Sequence, residues 1–368
     1  MQEASIKDRI VSLQILRFFA AVAVVVAHAS CVARAKPGSL CSLYFPTEIG
    51  VAGVDVFFVL SGFIITFTGP LAIRRPSGGQ FFWRRWSRVA PIYYLLSIPW
   101  VAQAAMTGRL NWPQTVGTFL FWPAAGPSLV TPYLVVGWTL SYEMIFYSTV
   151  SALLVGRRLR RNLAILALLL AALIALRQLT AWDPVRVVTS PYFLEFAAGA
   201  ALAWLWPRLK TATMVLGIGL IVLGVLIFTL EAAYGAAHPA FALNGIDRTR
   251  VLSRVAMFGP PAAIIVAGAC ICDRAIRGGL ARALAWMGDA SYSTYLSHGL
   301  VVPILAYLWF ATLGVSSPWL TTPVLIAASL VVGAATYVFI ERPILKDLRR
   351  VRFGAAPLAA ASLPGGSP

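Results

Sequence analysis

Ten apolar runs, each roughly twenty residues long, punctuate this 368-residue chain at 10–33, 50–69, 89–106, 135–155, 163–179, 190–206, 212–230, 252–272, 292–313 and 320–340. About twenty apolar residues in a helix cross ~30 Å of hydrocarbon. Inside lipid every backbone N–H and C=O must find a partner within the chain, so runs of this length must be helices. The sequence therefore predicts an all-α, polytopic membrane protein with about ten transmembrane helices. Composition agrees. Only 12% of the residues are charged, against about 25% in a soluble domain, too few to cover a globule with polar surface. The stretch around Phe119–Trp122 is apolar but short and Pro-rich, and reads as an interfacial or re-entrant piece.

The formal charge of +17 would suggest nucleic acid on a soluble chain. Here the basic residues fall in short clusters between apolar runs, which is the pattern of membrane topology. With the N-terminus inside, 21 of the 30 Lys and Arg fall in inner segments, 8 in outer segments, and Arg17 within a span. The bias repeats from loop to loop, so both termini are expected in the cytoplasm. Lys7 and Arg9 followed by an apolar stretch and Ala-His-Ala-Ser-Cys resemble a signal peptide. Arg17 interrupts that stretch and nine more runs follow, so an uncleaved first helix is expected instead. The chain divides into a cytoplasmic N-terminus (1–9), a transmembrane domain (10–345) and a cytoplasmic tail (346–368) whose Ala, Pro, Gly and Ser content from Phe353 predicts disorder. No internal repeat is visible.

Ionisable residues inside spans cost about 2.5–3.5 kcal/mol each at the centre of a helix and usually face a cavity. This chain carries Arg17 and His28 on the first run, Asp55 on the second, Glu143 on the fourth, Glu195 on the sixth and His298 on the ninth. Arg17 and His28 stand eleven residues apart. At ~100° and 1.5 Å per residue they share one helix face, about 16 Å apart along the axis. Arg17 then lies toward the cytoplasm and His28 toward the outer surface. Counting along each run puts Asp55 and Glu143 near the level of His28, and His298 nearer Arg17. A neutral histidine beside a carboxylate is a usable general base, its reference pKa being about 6.5. Asp55 and Glu143 are the candidate orienters of His28, with helix capping or packing as the plainer role for each. Glu195 reads as packing.

The segment Phe81-Phe82-Trp83-Arg84-Arg85-Trp86-Ser87-Arg88 mixes arginines with aromatics at the inner face. It serves either as an interfacial anchor or as a clamp for a phosphorylated donor entering from the cytoplasm, since arginine forks suit phosphate. The outer loop Trp112–Tyr133 carries aromatics that either pack or stack on sugar rings. Cys31 and Cys41 both lie near the outer face, where a disulfide is feasible. Cys270 and Cys272 fall at the inner end and are expected reduced. No cysteine or histidine spacing suggests a metal site.

In order along the chain, five segments resemble the acyltransferase 3 family of membrane acyltransferases. They are Ile15-Leu16-Arg17 with His28; Gly53-Val54-Asp55-Val56-Phe57-Phe58-Val59-Leu60-Ser61-Gly62-Phe63; Phe82 to Arg88 with Pro91; Ser141-Tyr142-Glu143 with Phe146-Tyr147; and Ser291-Tyr292, Tyr295-Leu296, His298 with Glu341-Arg342-Pro343. The resemblance spans about residues 10–345 and is nearest to the exopolysaccharide-acetylating, ExoZ-like branch. It implies an enzyme that transfers groups other than aminoacyl groups, a bacterial inner (plasma) membrane location and a ten-helix fold. It further implies acyl-CoA, most often acetyl-CoA, as a cytoplasmic donor substrate, with no permanently bound cofactor. The acceptor would be a hydroxyl of an extracytoplasmic polysaccharide or its lipid-linked precursor, and membrane lipid the remaining partner. On this reading His28, Glu143 and Asp55 are the catalytic candidates, His28 acting as base or as acyl carrier. Arg17, Arg84, Arg85, Arg88 and His298 are the donor-binding candidates. The family often carries an appended extracytoplasmic hydrolase-like domain that these residues do not include, so transfer is expected to finish within the membrane domain. Two other classes compete: a transporter or flippase of a lipid-linked glycan, in many of which inverted repeats are expected, and a non-enzymatic membrane subunit.

Overall fold

The computed structural model describes residues 10–34, 47–69, 76–125, 128–129, 131–154, 183–237, 251–313 and 317–348. The first run forms α1 (Val11–Arg34), with Arg34 in its last turn. After the short α2 (Thr47–Val51) comes α3 (Gly53–Thr68). The basic segment is the start of a long helix, α4 (Gly78–Met106), rather than a loop before one. Ser77 caps it: its side chain accepts from the Gln80 N–H, and the Gln80 side chain accepts from the Ser77 N–H. This reciprocal box satisfies two donors that the first turn leaves open. It starts the helix eleven residues earlier than hydropathy alone suggests, and so carries Arg84, Arg85 and Arg88 on helical geometry.

Beyond α4, Asn111 caps the nine-residue α5 (Trp112–Leu120) and Phe121 closes it in the left-handed region at φ 55°. The two-residue strands β1 (Ala124–Ala125) and β2 (Ser128–Leu129) then pair antiparallel. These short elements between α4 and α6 take in Phe119–Trp122, and none of them is long enough to span a membrane. A 3₁₀ turn (Val135–Gly137) leads into α6 (Trp138–Leu153). The described chain resumes with α7 (Asp183–Val188), α8 (Tyr192–Leu209), α9 (Met214–Ala237), α10 (Val251–Cys272), the amphipathic α11 (Gly279–Asp289), α12 (Ser291–Leu313) and α13 (Pro318–Thr336). A π-helical turn, Tyr337–Glu341, joins α13 to α14 (Arg342–Leu348). Prolines inside α4, α10 and α12 are tolerated as they are in membrane helices, where neighbours re-satisfy the freed carbonyls.

Seven described helical segments are long and apolar enough to span a membrane, and the protein is an all-α, multi-pass membrane protein. These seven match the runs at 10–33, 50–69, 89–106, 212–230, 252–272, 292–313 and 320–340. The runs at 135–155 and 190–206 appear as α6 and α8, of 16 and 18 residues, which do not meet that measure. The run at 163–179 and the disorder expected from Phe353 lie outside the described residues, whereas 346–348, taken as the start of the tail, belong to α14.

Close packing is set by small residues, as membrane interfaces require. At the α3–α8 crossing, a Cβ on Gly62 would stand 2.0 Å from the Phe196 carbonyl oxygen, and one on Gly199 would stand 1.9 Å from that of Val59. Gly288, in the last turn of α11, likewise lies against the Gln14 carbonyl of α1, while the Ser12 N–H donates to Asp273 at 2.9 Å. These contacts fix the N-terminal end of α1 against the segment that leads into α12. An aromatic-rich core of α3, α4, α6, α8 and α12, including Phe58, Tyr93, Tyr142, Tyr192 and Phe196, fills one side of the bundle. The crossing of α1, α3 and α10 fills another.

Candidate functional site

Arg17 of α1, Ser61 of α3, Arg85 and Arg88 of α4, Glu143 and Tyr147 of α6, and Tyr292 and Tyr295 of α12 line one partly open cavity. Three guanidiniums face one carboxylate among these lining residues. Glu143 is held at a single point: its Oε1 accepts from the Ser61 hydroxyl at 2.9 Å and from the Tyr147 hydroxyl. Tyr147 lies one turn along from Glu143, and Ser61 comes from the facing helix. The serine bonded to Glu143 is thus Ser61 of α3. Arg17 donates to Gln14 at 3.3 Å and shares its electrostatic surroundings with Arg88, Glu143, Glu341 and Asp289. Arg85 donates to the Thr68 hydroxyl and lies over the Phe81 ring, 5.6 Å from its centroid. These neighbours hold both guanidiniums at the cavity wall without using all of their donors.

The eight candidates separate by position. Arg17, Arg85, Arg88 and Glu143 meet in the cavity. Arg84 is exposed and does not line it, because one residue of offset on α4 turns it ~100° from Arg85. Asp55 is buried and committed elsewhere. Its Oδ1 and Oδ2 accept from Arg254 Nε at 3.3 Å and a terminal Arg254 nitrogen at 2.5 Å, and that nitrogen also donates to the Val51 carbonyl at 3.2 Å. Both residues are at most 1% exposed, and Glu195 lies within the same electrostatic cluster. Two expectations change. Arg254, counted among the outer-loop cations, belongs to α10 and pairs inside the bundle. Asp55, expected near His28, has both carboxylate oxygens bonded to Arg254, an ion pair that links α3 to α10.

The depth reading also changes. His298 was placed near Arg17 and Glu143 near His28. The structure exchanges them: the His28 and His298 rings are 5.0 Å apart, and Glu143 shares the cavity with Arg17. Residue counts treat every run as starting at one level, aligning residue 10 with residue 292. The Gly288–Gln14 contact shows instead that the chain approaches α12 beside residue 14, part-way along the first turns of α1, which moves His298 toward the level of His28.

His28 Nδ1 lies 2.9 Å from the Val24 carbonyl oxygen. A carbonyl only accepts, so in the neutral ring Nδ1 carries the hydrogen and Nε2 keeps its lone pair. His298 is 1% exposed, and among the described residues neither ring nitrogen makes a hydrogen bond of good geometry, although the backbone of Thr294 and Tyr295 lies near the ring. Tyr295 links the two parts of the site. It lines the arginine cavity and meets the His298 ring edge-on at 5.6 Å. Its hydroxyl donates to the Val136 carbonyl at 2.9 Å and lies 3.1 Å from that of Thr139. Cavity, Tyr295, His298 and His28 thus follow one another through the bundle.

Sequence reasoning assigned no role to Ser61, Tyr147, Tyr295 or Glu341. Glu341 accepts from Ser293 at 2.5 Å and stands in the electrostatic surroundings of Arg17 and Arg88. It is presented by the π-helical turn, a distortion frequent at functional sites. Each of these residues sits inside a quoted family segment, which was the one available signal. Cys31 is disulfide-bonded, and Cys270 and Cys272 are free thiols. Cys41 lies outside the described residues. No cluster of metal-ligating side chains occurs among the described residues.

Comparison with known proteins identifies the chemistry. The acyltransferase 3 model, described as an acyltransferase domain, matches residues 10–338. The chain is 32% identical to the exopolysaccharide production protein ExoZ of Rhizobium meliloti, over 85% of this chain and 95% of that one. It is 27% identical to the acyltransferase MdmB of Streptomyces mycarofaciens, over 97% of this chain and 96% of that one. It is 26% identical to the peptidoglycan O-acetyltransferase OatA of Listeria monocytogenes, over 81% of this chain but 52% of that longer one. No solved structure matches. The family match runs from the start of α1 into the π-helical turn and so takes in every cavity residue and both His28 and His298: the chain belongs to the acyltransferase 3 family and is a membrane-embedded acyltransferase.

Proposed function

We propose that the protein moves an acyl group, acetyl in the first instance, from cytoplasmic acyl-CoA to a hydroxyl of an extracytoplasmic polysaccharide or its lipid-linked precursor. One observation carries the reading. A cavity lined by Arg17, Arg85 and Arg88 is also lined by Tyr295, whose ring contacts His298, and His298 in turn lies beside His28. Guanidiniums bind phosphate by paired, charge-assisted hydrogen bonds, which suits the nucleotide end of the donor. The thin pantetheine arm then leads the thioester toward Tyr295. The printed names of ExoZ and OatA, an exopolysaccharide protein and a peptidoglycan O-acetyltransferase, support a glycan acceptor.

The chemistry needs a base and a route for one proton. His28 Nε2 takes the proton from the acceptor hydroxyl, and that oxygen attacks the thioester carbonyl carbon. The C–O bond forms, the C–S bond breaks, and the thiolate leaves with the electron pair. The imidazolium then gives its proton to the thiolate. The same lone pair also suits direct attack, with a brief acyl-histidine as intermediate. Glu143, oriented by Ser61 and Tyr147, balances the arginine charge. The positive-inside bias supports cytoplasmic termini and therefore a cytoplasmic mouth for the basic cavity. The test supplies labelled acetyl-CoA to membranes holding wild type or His28→Ala and follows label into polysaccharide. Loss of transfer in the variant is expected, and undiminished transfer refutes the reading. Glycan movement without any acyl-CoA requirement would favour the flippase class instead.

A further inference from the structure

We propose that His298 is a second catalytic imidazole, donating a hydrogen bond to the acyl carbonyl oxygen while His28 handles the proton. The inference rests on the acyl-transfer reading and deepens it. The first argument is geometric. The two rings stand 5.0 Å apart at 52°, close enough for one small planar group to touch both. His28 has its Nδ1 tied to Val24, so only Nε2 is available to a substrate. A carbonyl under attack needs a base or nucleophile on one side and a donor for its oxygen on another. Of the two imidazoles, only His298 is left for the second task.

The second argument is the cost of the arrangement. His298 is 1% exposed, and neither ring nitrogen makes a hydrogen bond of good geometry among the described residues, the backbone of Thr294 and Tyr295 being its nearest polar company. A buried polar group left unpaired costs about 1–3 kcal/mol. A packing residue at this position would avoid that cost, since Leu296 of the same helix is equally buried and apolar. The unpaired nitrogens make sense if a substrate atom supplies the missing partner. The third argument is access. Tyr295 lines the arginine cavity and contacts the His298 ring, so a thioester delivered along that cavity arrives beside His298.

The donated hydrogen bond breaks no bond in His298. When the acceptor oxygen adds to the carbonyl carbon, the carbonyl π pair moves to oxygen, and the His298 N–H stabilises that charge. When the C–S bond breaks, the pair returns and the carbonyl reforms. His298 ends each turnover unchanged.

The test uses the full chain in native membranes, with labelled acetyl-CoA as donor and a non-hydrolysable thioether analogue of acetyl-CoA as binding probe. His298→Phe keeps ring bulk and removes the donor. His298→Gln keeps an N–H donor. The expected result is a kcat loss of ~10²–10³-fold for the Phe variant, the usual effect of removing one donor to a developing oxyanion. Analogue affinity should stay within about twofold, and the Gln variant should recover at least roughly tenfold of the lost rate. Phe and Gln variants that both stay within about threefold of wild type overturn the proposal in favour of packing. So does a Gln variant that falls as far as Phe. Both outcomes leave wild-type transfer intact. Absence of transfer by the wild type itself would instead overturn the acyl-transfer reading and this inference with it.

Discussion

Replacing Arg254 by Gln removes the only cation paired to Asp55 in the hydrogen bonds described above. The carboxylate is fully buried and the guanidinium 1% exposed, so water does not replace the lost partner. Arg254 also releases the Val51 carbonyl and its place over the Phe258 ring, 5.6 Å from the centroid. Removing one member of a buried ion pair costs about 3–5 kcal/mol. Asp55→Asn should also destabilise, because it removes the carboxylate that accepts from Arg254 Nε and from a terminal Arg254 nitrogen. The double variant replaces both members of the pair by neutral amides and leaves Glu195 as the remaining carboxyl group of the cluster, so its loss should fall short of the sum by up to roughly 3 kcal/mol, the upper range for contacting residues. The assay is unfolding of the purified protein in mixed micelles with rising SDS fraction, read by tryptophan fluorescence. Additivity within about 0.5 kcal/mol, the behaviour of independent sites, would refute the bracing role. A second readout separates structure from chemistry. At low temperature the folded double variant should keep acyl transfer within about threefold, because bracing residues act through stability. A folded but inactive double variant would restore Asp55 to the catalytic group.

Other consequences follow from the same geometry. Arg85→Ala and Arg88→Ala should each raise KM for acyl-CoA by roughly tenfold or more, the worth of a charge-assisted hydrogen bond. Arg84→Ala, exposed and off the cavity, should change it little; steady-state kinetics on membranes distinguishes the three. Gly199→Ala sets a methyl 1.9 Å from the Val59 carbonyl and should cost about 1–3 kcal/mol by overpacking, visible as a lower thermal midpoint and reduced folded yield. Leu280→Cys, at a site 75% exposed on α11, should react with a membrane-impermeant maleimide only from the cytoplasmic side. Labelling of intact cells from outside would reverse the orientation.

Several parts of the site were readable along the chain. Arg17 and His28 share a helix face because helical periodicity fixes direction within one helix. Arg85 and Arg88, three residues apart, share a face for the same reason. Partnerships between helices were not readable. Asp55 has one neighbour in sequence terms and another in space, and nothing in the α3 signature points to Arg254 on α10. Glu143 and His298 exchanged places because depth was counted from each apolar boundary. Real helices slide against one another until small residues such as Gly288, Gly62 and Gly199 let their backbones touch.

Sequence alone determined that this chain is a bundle of membrane helices. Lipid offers no partner to a bare peptide group, so long apolar runs have no other way to cross it. Tertiary structure alone decided which buried charges meet. Offset, tilt and crossing depend on packing between helices far apart in sequence. That packing gathered three arginines around Glu143, paired Asp55 with Arg254, and set His298 beside His28.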